Sequence, residues 1–259
     1  MTTVLASGCD RVFGLIGDDT PLDGDARRID SAGGDDGGGE PDAAPGGAFC
    51  AAQSSMVQFC ADFDGASFSP FTLFTDHGSV DLSDEQTKSG LSSMRARVDF
   101  SLVDADSDPT ATGAHEILST LADHPIPTVY AFEVYIPAAM AADIGICRIQ
   151  IDQAIDMTIF ASGTFGGQVF KDGSVSDFAS PLSSAIQRDA WVHVETTFTF
   201  GMGGAVDVQI GSGPIQEQSI STGVPMPKGT LTLGLQQSAA PTQRDQQNVT
   251  AYYDNVLVR

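Results

Sequence analysis

The chain has 259 residues, 41% of them hydrophobic, so it can bury the core of one large all-β domain or two small ones. Its 34 acidic and 12 basic side chains give a formal net charge of -22. That excess excludes nucleic acid and electrostatic attraction to anionic membrane surfaces, because a phosphate backbone must be neutralised by Lys and Arg.

The first nine residues end in Leu5-Ala6-Ser7-Gly8-Cys9. This resembles the bacterial lipobox, in which small residues precede a cysteine that is acylated and becomes the mature N-terminus. The positive n-region and most of the apolar h-region of a secretory signal are missing, which points to a start further upstream. The alternative is an ordinary cysteine in an N-terminal tail. Acyl chains on Cys9 would hold the protein on a bilayer without a transmembrane helix, and no apolar run here is long enough to span one. The expected address is therefore an exported, membrane-anchored lipoprotein at the outer membrane or cell surface.

Residues 10–48 form the expected linker. From Gly17 to Gly47, nine acidic residues are scattered among Gly, Ala, Ser and Pro, with nothing to fill a core. Low hydrophobicity and like-charge repulsion predict a disordered acidic tether. The run Gly33 to Gly39 lacks the lysine and the strand-to-helix context of a phosphate-cradling loop.

The folded domain is expected over residues 49–259. Cys50 and Cys60 flank nine residues and, in an exported chain whose Cys9 is spent on lipid, form the natural disulfide pair. Cys147 shares a face with Ile149 and Ile151, as a buried free thiol would.

Strand candidates then follow in series: Phe71 to Thr75, Leu91 to Leu102, Thr128 to Ile136, Ile144 to Ile151, Met157 to Ala161 and Gln168 to Lys171. Val192, Val194, Thr196, Phe198 and Phe200 alternate with His193, Glu195, Thr197 and Thr199. Gly201, Gly203 and Gly204 supply a turn, and Val206, Val208 and Ile210 return as the second arm of a hairpin. Trp191, the chain's one tryptophan, shares parity with the polar set; it ends the strand at a bulge or sits on a face that binds something. Leu231, Leu233 and Leu235, and finally Thr250 to Val258, complete the series. Helix is expected at most as a single turn at Ser183 to Arg188 or Ala138 to Asp143. So many short strands with Gly and Pro between them predict two packed antiparallel sheets.

Three segments carry a family resemblance: Phe59-Cys60-Ala61-Asp62-Phe63-Asp64, Ala190-Trp191-Val192-His193-Val194, and Tyr252-Tyr253-Asp254-Asn255-Val256-Leu257-Val258. In order and spacing they resemble the concanavalin A-like lectin and glucanase superfamily, which includes laminin G-like modules, over residues 50 to 259. The resemblance implies an all-β, two-sheet antiparallel jelly-roll sandwich whose first and last strands are neighbours.

Family 16 glycoside hydrolases of that superfamily carry their carboxylates on one strand as Glu-x-Asp-x-x-Glu, and no such strand exists here. Jelly-roll lyases abstract a proton beside a uronate with Tyr or His, and neutralise the carboxylate with Arg and Gln or Asn. Arg95 and Arg97 resemble their Arg-x-x-x-Arg strand with shorter spacing. Arg148 and Gln150 resemble their Gln-Ile-His strand with Asp152 at the histidine position. The departures fall on the catalytic positions, so the expectation is a non-catalytic module with a carbohydrate ligand and no catalytic residues. The candidate ligand-binding residues are Arg95, Arg97, Tyr135, Arg148, Gln150 and His193. A polysaccharide lyase, or a structural sandwich without a small ligand, is the alternative.

The resemblance also implies a structural calcium. Asp254 matches the closing-strand aspartate of related glucanases, with Asp62 or Asp64 contributing from the opening segment; an aspartate that caps or salt-bridges a sheet edge is the other reading. The run Asp104 to Asp108 lacks the glycine and the glutamate of an EF-hand. The oligomeric state is left open.

Overall fold

A computed structural model describes residues 48–53, 57–65, 68, 71–75, 78–99, 114–122, 128–151, 155–171, 174–180, 185–201, 203–220, 228–236 and 248–259. Cys9, the acidic linker as far as residue 47, and Asp104 to Asp108 lie outside them. In chain order the elements are a one-turn helix α1 (Ala48–Ala51), β1 (Phe59–Ala61), β2 (Thr72–Thr75), β3 (Gly78–Ser83), β4 (Ser93–Val98), β5 (Ala114–Ala122), β6 (Thr128–Tyr135) and β7 (Gly145–Ile151). They continue as β8 (Ile155–Phe160), β9 (Phe165–Lys171), β10 (Ser174–Ser180), β11 (Trp191–Thr199), β12 (Ala205–Ile210), β13 (Gln216–Ser219), β14 (Lys228–Gln236) and β15 (Val249–Val258).

These strands form two antiparallel sheets. Sheet A runs β13-β12-β11-β6-β15-β4-β3, with β1 also paired to β15; sheet B runs β10-β9-β8-β7-β14-β5-β2. Period-2 alternation decides what lies between them. Met94, Ala96 and Val98 of β4, Tyr130, Phe132 and Val134 of β6, and Val192, Val194 and Phe198 of β11 are buried, as are Cys147, Ile149 and Ile151 of β7 and Leu231, Leu233 and Leu235 of β14. The sandwich expected from the sequence is therefore the fold, and β1 pairs with β15 through Phe59↔Val258 and Ala61↔Val256.

Cys50 and Cys60 form the disulfide. Cys147 is free and buried, and burial pushes its thiol well above the usual range. The hairpin of β11 and β12 closes at Thr199↔Ala205. Trp191 is in register with Tyr135 of β6, so it continues the strand without a bulge.

Some boundaries differ from the sequence reading. Leu91 is 80% exposed in the loop before β4, so that strand is shorter than its apolar pattern. Strands β3, β5, β10 and β13 carry weak or purely polar patterns and were not expected; β13 is Gln-Glu-Gln-Ser at the edge of sheet A. Ala138 to Asp143 and the described residues after Ser184 are turns and bends, with no helix.

The two sheets are joined by one side chain in particular. Tyr253 of β15 is fully buried, and its hydroxyl donates to the Ile146 carbonyl at 2.9 Å. Ile146 lies where the β7–β8 register shifts between Gly145 and Cys147, and Gly234, which also hydrogen-bonds this hydroxyl, lies where β14 shifts against β7. The phenol thus bonds backbone groups beside both irregularities of the β7 ladders.

Candidate functional site on the outer face of sheet A

The outward set of sheet A is read by register. Asp81 of β3 faces Arg95 of β4, Arg95 faces Tyr252 of β15, Tyr252 faces Tyr135 of β6, and Tyr135 faces Trp191 of β11. This one cross-strand row brings three aromatic rings together. The Tyr135 centroid is 5.8 Å from Trp191 and 5.9 Å from Tyr252, at interplanar angles of 59° and 80°. Trp191 and Tyr135 are half-buried, whereas Tyr252 is 7% exposed beneath its charged neighbours.

A second row lies one step along the strands: Asp254, Glu133 and His193. His193 Nδ1 is 3.2 Å from Glu133 Oε1, and the hydrogen bond to that carboxylate raises the imidazole above its ordinary pKa. Lys88 Nζ lies 3.5 Å from Glu133 Oε2, and Arg259 Nη2 lies 3.3 Å from Glu195 Oε2 further along the face. Arg95 is spanned by carboxylates, with Nε donating to Asp81 at 2.7 Å and Nη1 to Glu85 at 2.6 Å. Glu85 also accepts the Tyr252 hydroxyl at 2.6 Å; that bond and Arg95 hold Glu85 below the usual carboxylate range. Burial, and next the same hydrogen bond, push the Tyr252 phenol up to about 12.

Glu85 and Lys88 belong to the loop between β3 and β4, and the loop is pinned to the sheet from below. Asp254 Oδ2 accepts the N–H groups of Lys88 and Ser89, both at 3.0 Å, while Oδ1 accepts its neighbour Asn255 N–H at 2.8 Å. Asn255 Oδ1 receives Ser89 Oγ, and Asp64 Oδ1 receives the N–H groups of Leu91 and Ser92. Gly90 has φ +66° and sits against the Asp64 carboxylate, where an added Cβ would collide with it, so the loop needs glycine there. Burial raises Asp254 to about 6 against the opposing N–H bonds. Replacing Gly90 with Ala is expected to destabilise the domain by about 1–3 kcal/mol, read by urea denaturation.

The sequence-derived candidates divide between two faces. Arg95, Arg97, Tyr135 and His193 lie on the outer face of sheet A. Arg148 and Gln150 lie on β7, on the outer face of sheet B, because Cys147, Ile149 and Ile151 take the inward positions. The single site combining Arg95, Arg97 and Gln150 is corrected accordingly: the two strands belong to opposite sheets. Arg148 is held by Asp156 through two bonds, at 2.8 and 2.5 Å, and Gln150 donates to the same carboxylate at 3.3 Å.

Of the calcium candidates, Asp62 Oδ2 accepts the Cys50 N–H at 3.3 Å, and Asp64 and Asp254 accept the loop N–H groups given above. Calcium takes oxygen ligands, and the groups facing these carboxylates are N–H donors. No cluster of three or more His, Cys, Asp or Glu suited to a metal ion occurs among the described residues. The donor set seen here therefore does not fit the ion, and it matches the alternative of an aspartate that caps backbone N–H groups.

Tyr252, Glu85, Lys88 and Asp81 were missed from sequence. Tyr252 could have been found from its parity with Asp254 in the closing strand; the loop residues carry no periodic signal.

No protein-family model matches the chain, and no curated protein matches it. Solved structures do. An endo-β-1,4-glucuronan lyase from the fungus Trichoderma reesei superposes with a TM-score of 0.61 at 11% identity, over 78% of this chain and 94% of that one. The cellulose-induced protein Cip1 gives 0.53 at 10% identity over 78% and 96%. The alginate lyase vAL-1 from a Chlorella virus gives 0.51 at 13% over 76% and 94%. The fold these structures share with the chain is the two-sheet antiparallel jelly-roll sandwich. At these identities the likeness extends to the fold of the sandwich and stops there.

Proposed function

We propose that the chain is a surface-tethered, non-catalytic module that binds a glycan on the outer face of sheet A. The observation that carries this reading is the Trp191–Tyr135–Tyr252 row, with hydrogen-bonding carboxylates and cations along its edges. Sugar rings present C–H faces that pack on aromatic rings and hydroxyls that planar polar groups fix, and Trp191 supplies the aromatic that the polar candidates lacked. A glycan array on the purified chain is expected to give binding that Trp191→Ala weakens by about 30-fold, the size of an aromatic hot spot. An array without a single bound glycan, or binding untouched by that substitution, defeats the proposal.

A uronan lyase would need a phenol or imidazole ready to take a proton and an arginine open to a carboxylate. Here Tyr252 is shifted away from ionisation, the His193 imidazole is engaged by Glu133, and Arg95 is occupied by Asp81 and Glu85. Incubation with alginate and polyglucuronate is expected to give no ultraviolet absorbance from unsaturated uronate ends.

The tether belongs to the same proposal. Mass spectrometry of the native protein is expected to find a diacylglyceryl group on Cys9, and an unmodified Cys9 would remove the anchor from the reading.

A further inference from the structure

The charges around the aromatic row restrict what it can take. We infer that the ligand is an uncharged polysaccharide of neutral hexoses or pentoses and that uronans are excluded; this rests on the glycan reading above. A uronate is recognised by a cation with donors to spare, best by the open fork of an arginine. Three cations near the row, Arg95, Lys88 and Arg259, are already paired with carboxylates. Arg95 donates from Nε to Asp81 and from Nη1 to Glu85, so both carboxylates hold its fork in place. Arg97, the next outward residue on β4, lies a step off the aromatic row, opposite Ser79 and Thr250. Lys88 lies against Glu133 and Arg259 against Glu195. Admitting a uronate would mean displacing an existing carboxylate and leaving it without its partner.

The remainder of the molecule adds to this. With a formal net charge of -22 it repels a polyanion at long range, whereas a neutral glycan is indifferent to that field. What the face offers a neutral sugar is half-exposed Trp191 and Tyr135 for the ring faces, and the exposed Glu85 carboxylate and His193 imidazole for hydroxyls.

Affinity electrophoresis separates the possibilities. The wild-type protein and Trp191→Ala are run through gels containing β-glucan, xylan or mannan, and through gels containing alginate, polyglucuronate or polygalacturonate. At least one neutral polymer is expected to retard the wild type, with a dissociation constant that salt does not change and that rises about 30-fold in Trp191→Ala. Retardation by a uronan that depends on Trp191 overturns the inference and leaves the glycan reading intact. Retardation by none of the polymers overturns the glycan reading and the inference with it.

A second arm releases the arginine. The double variant Asp81→Asn, Glu85→Gln is expected to gain at least about tenfold in uronan affinity, the value of one charge-assisted contact. A folded double variant with no such gain overturns the role given to the Asp81–Arg95–Glu85 chain.

Discussion

Raising the pH from about 4 to about 7 is expected to remove about 3 kcal/mol of stability through Asp254 alone. The carboxyl is fully buried and its pKa is raised from 3.8 to about 6 in the folded protein, first by burial. Between those two values the folded state holds a proton that the unfolded state has released. The contribution is therefore fully present below about pH 4 and is lost as the pH rises through about 6. The excess negative charge of the whole chain acts in the same direction, so the quantity to measure is the difference between the wild type and Asp254→Asn. Urea unfolding of both proteins in EDTA across this range should show the wild-type advantage shrinking with pH. The same experiment tests calcium. An ion on Asp254 would hold the carboxylate ionised and reverse the sign, so a wild-type advantage that grows with pH once calcium is added would establish it as a ligand.

Tyr253→Ala is expected to cost about 3–5 kcal/mol, and Tyr253→Phe about 1–3 kcal/mol. The first removes one of the largest fully buried side chains, leaving a cavity between the sheets. The second keeps the ring and deletes only the hydroxyl, which backbone groups at Ile146 and Gly234 share. Ile146 lies at a ladder irregularity, so no neighbouring strand can take over its carbonyl without a change of register. Denaturant unfolding of both variants gives the two costs, and amide exchange at Gly234 should accelerate in the phenylalanine variant. A phenylalanine variant as stable as the wild type would mean that water or a local shift satisfies the bulges.

How far the sequence led depended on whether a residue's role follows from its parity in a strand. The alternation of Val192 to Phe198 and of Met94 to Val98 is set by one buried face, so those strands and their inward residues were legible. The Cys50–Cys60 pair and the buried Cys147 followed from spacing and phase. Parity also put Arg95 and His193 on outward faces, but it does not say which strands share a sheet; Arg148 and Gln150 looked equivalent and belong to the other one. Glu85 and Lys88 were invisible because a loop has no period, and they reach the site only because Asp254, Asn255 and Asp64 hold that loop down. Asp254 itself stood out from the closing motif, and the family likeness favoured an ion where the structure has backbone N–H groups. Strand β13 was lost for the opposite reason: an edge strand with no buried face leaves no pattern to read.

The place of β15 also governs the order of events during synthesis. It lies inside sheet A against β6 on one side and β4 and β1 on the other, yet the ribosome delivers it after all three. Until it arrives, β4 and β6 face each other across an empty strand position with unpaired N–H and C=O groups. The contacts that close the gap link residues nearly 200 positions apart, as in Phe59↔Val258. Loop closure of that length makes the final step slow, and the nascent chain exposes two sticky edges while it waits. Refolding from urea should accordingly be slow for a domain of this size, and a chain cut short before β15 should aggregate rather than fold to a smaller sandwich.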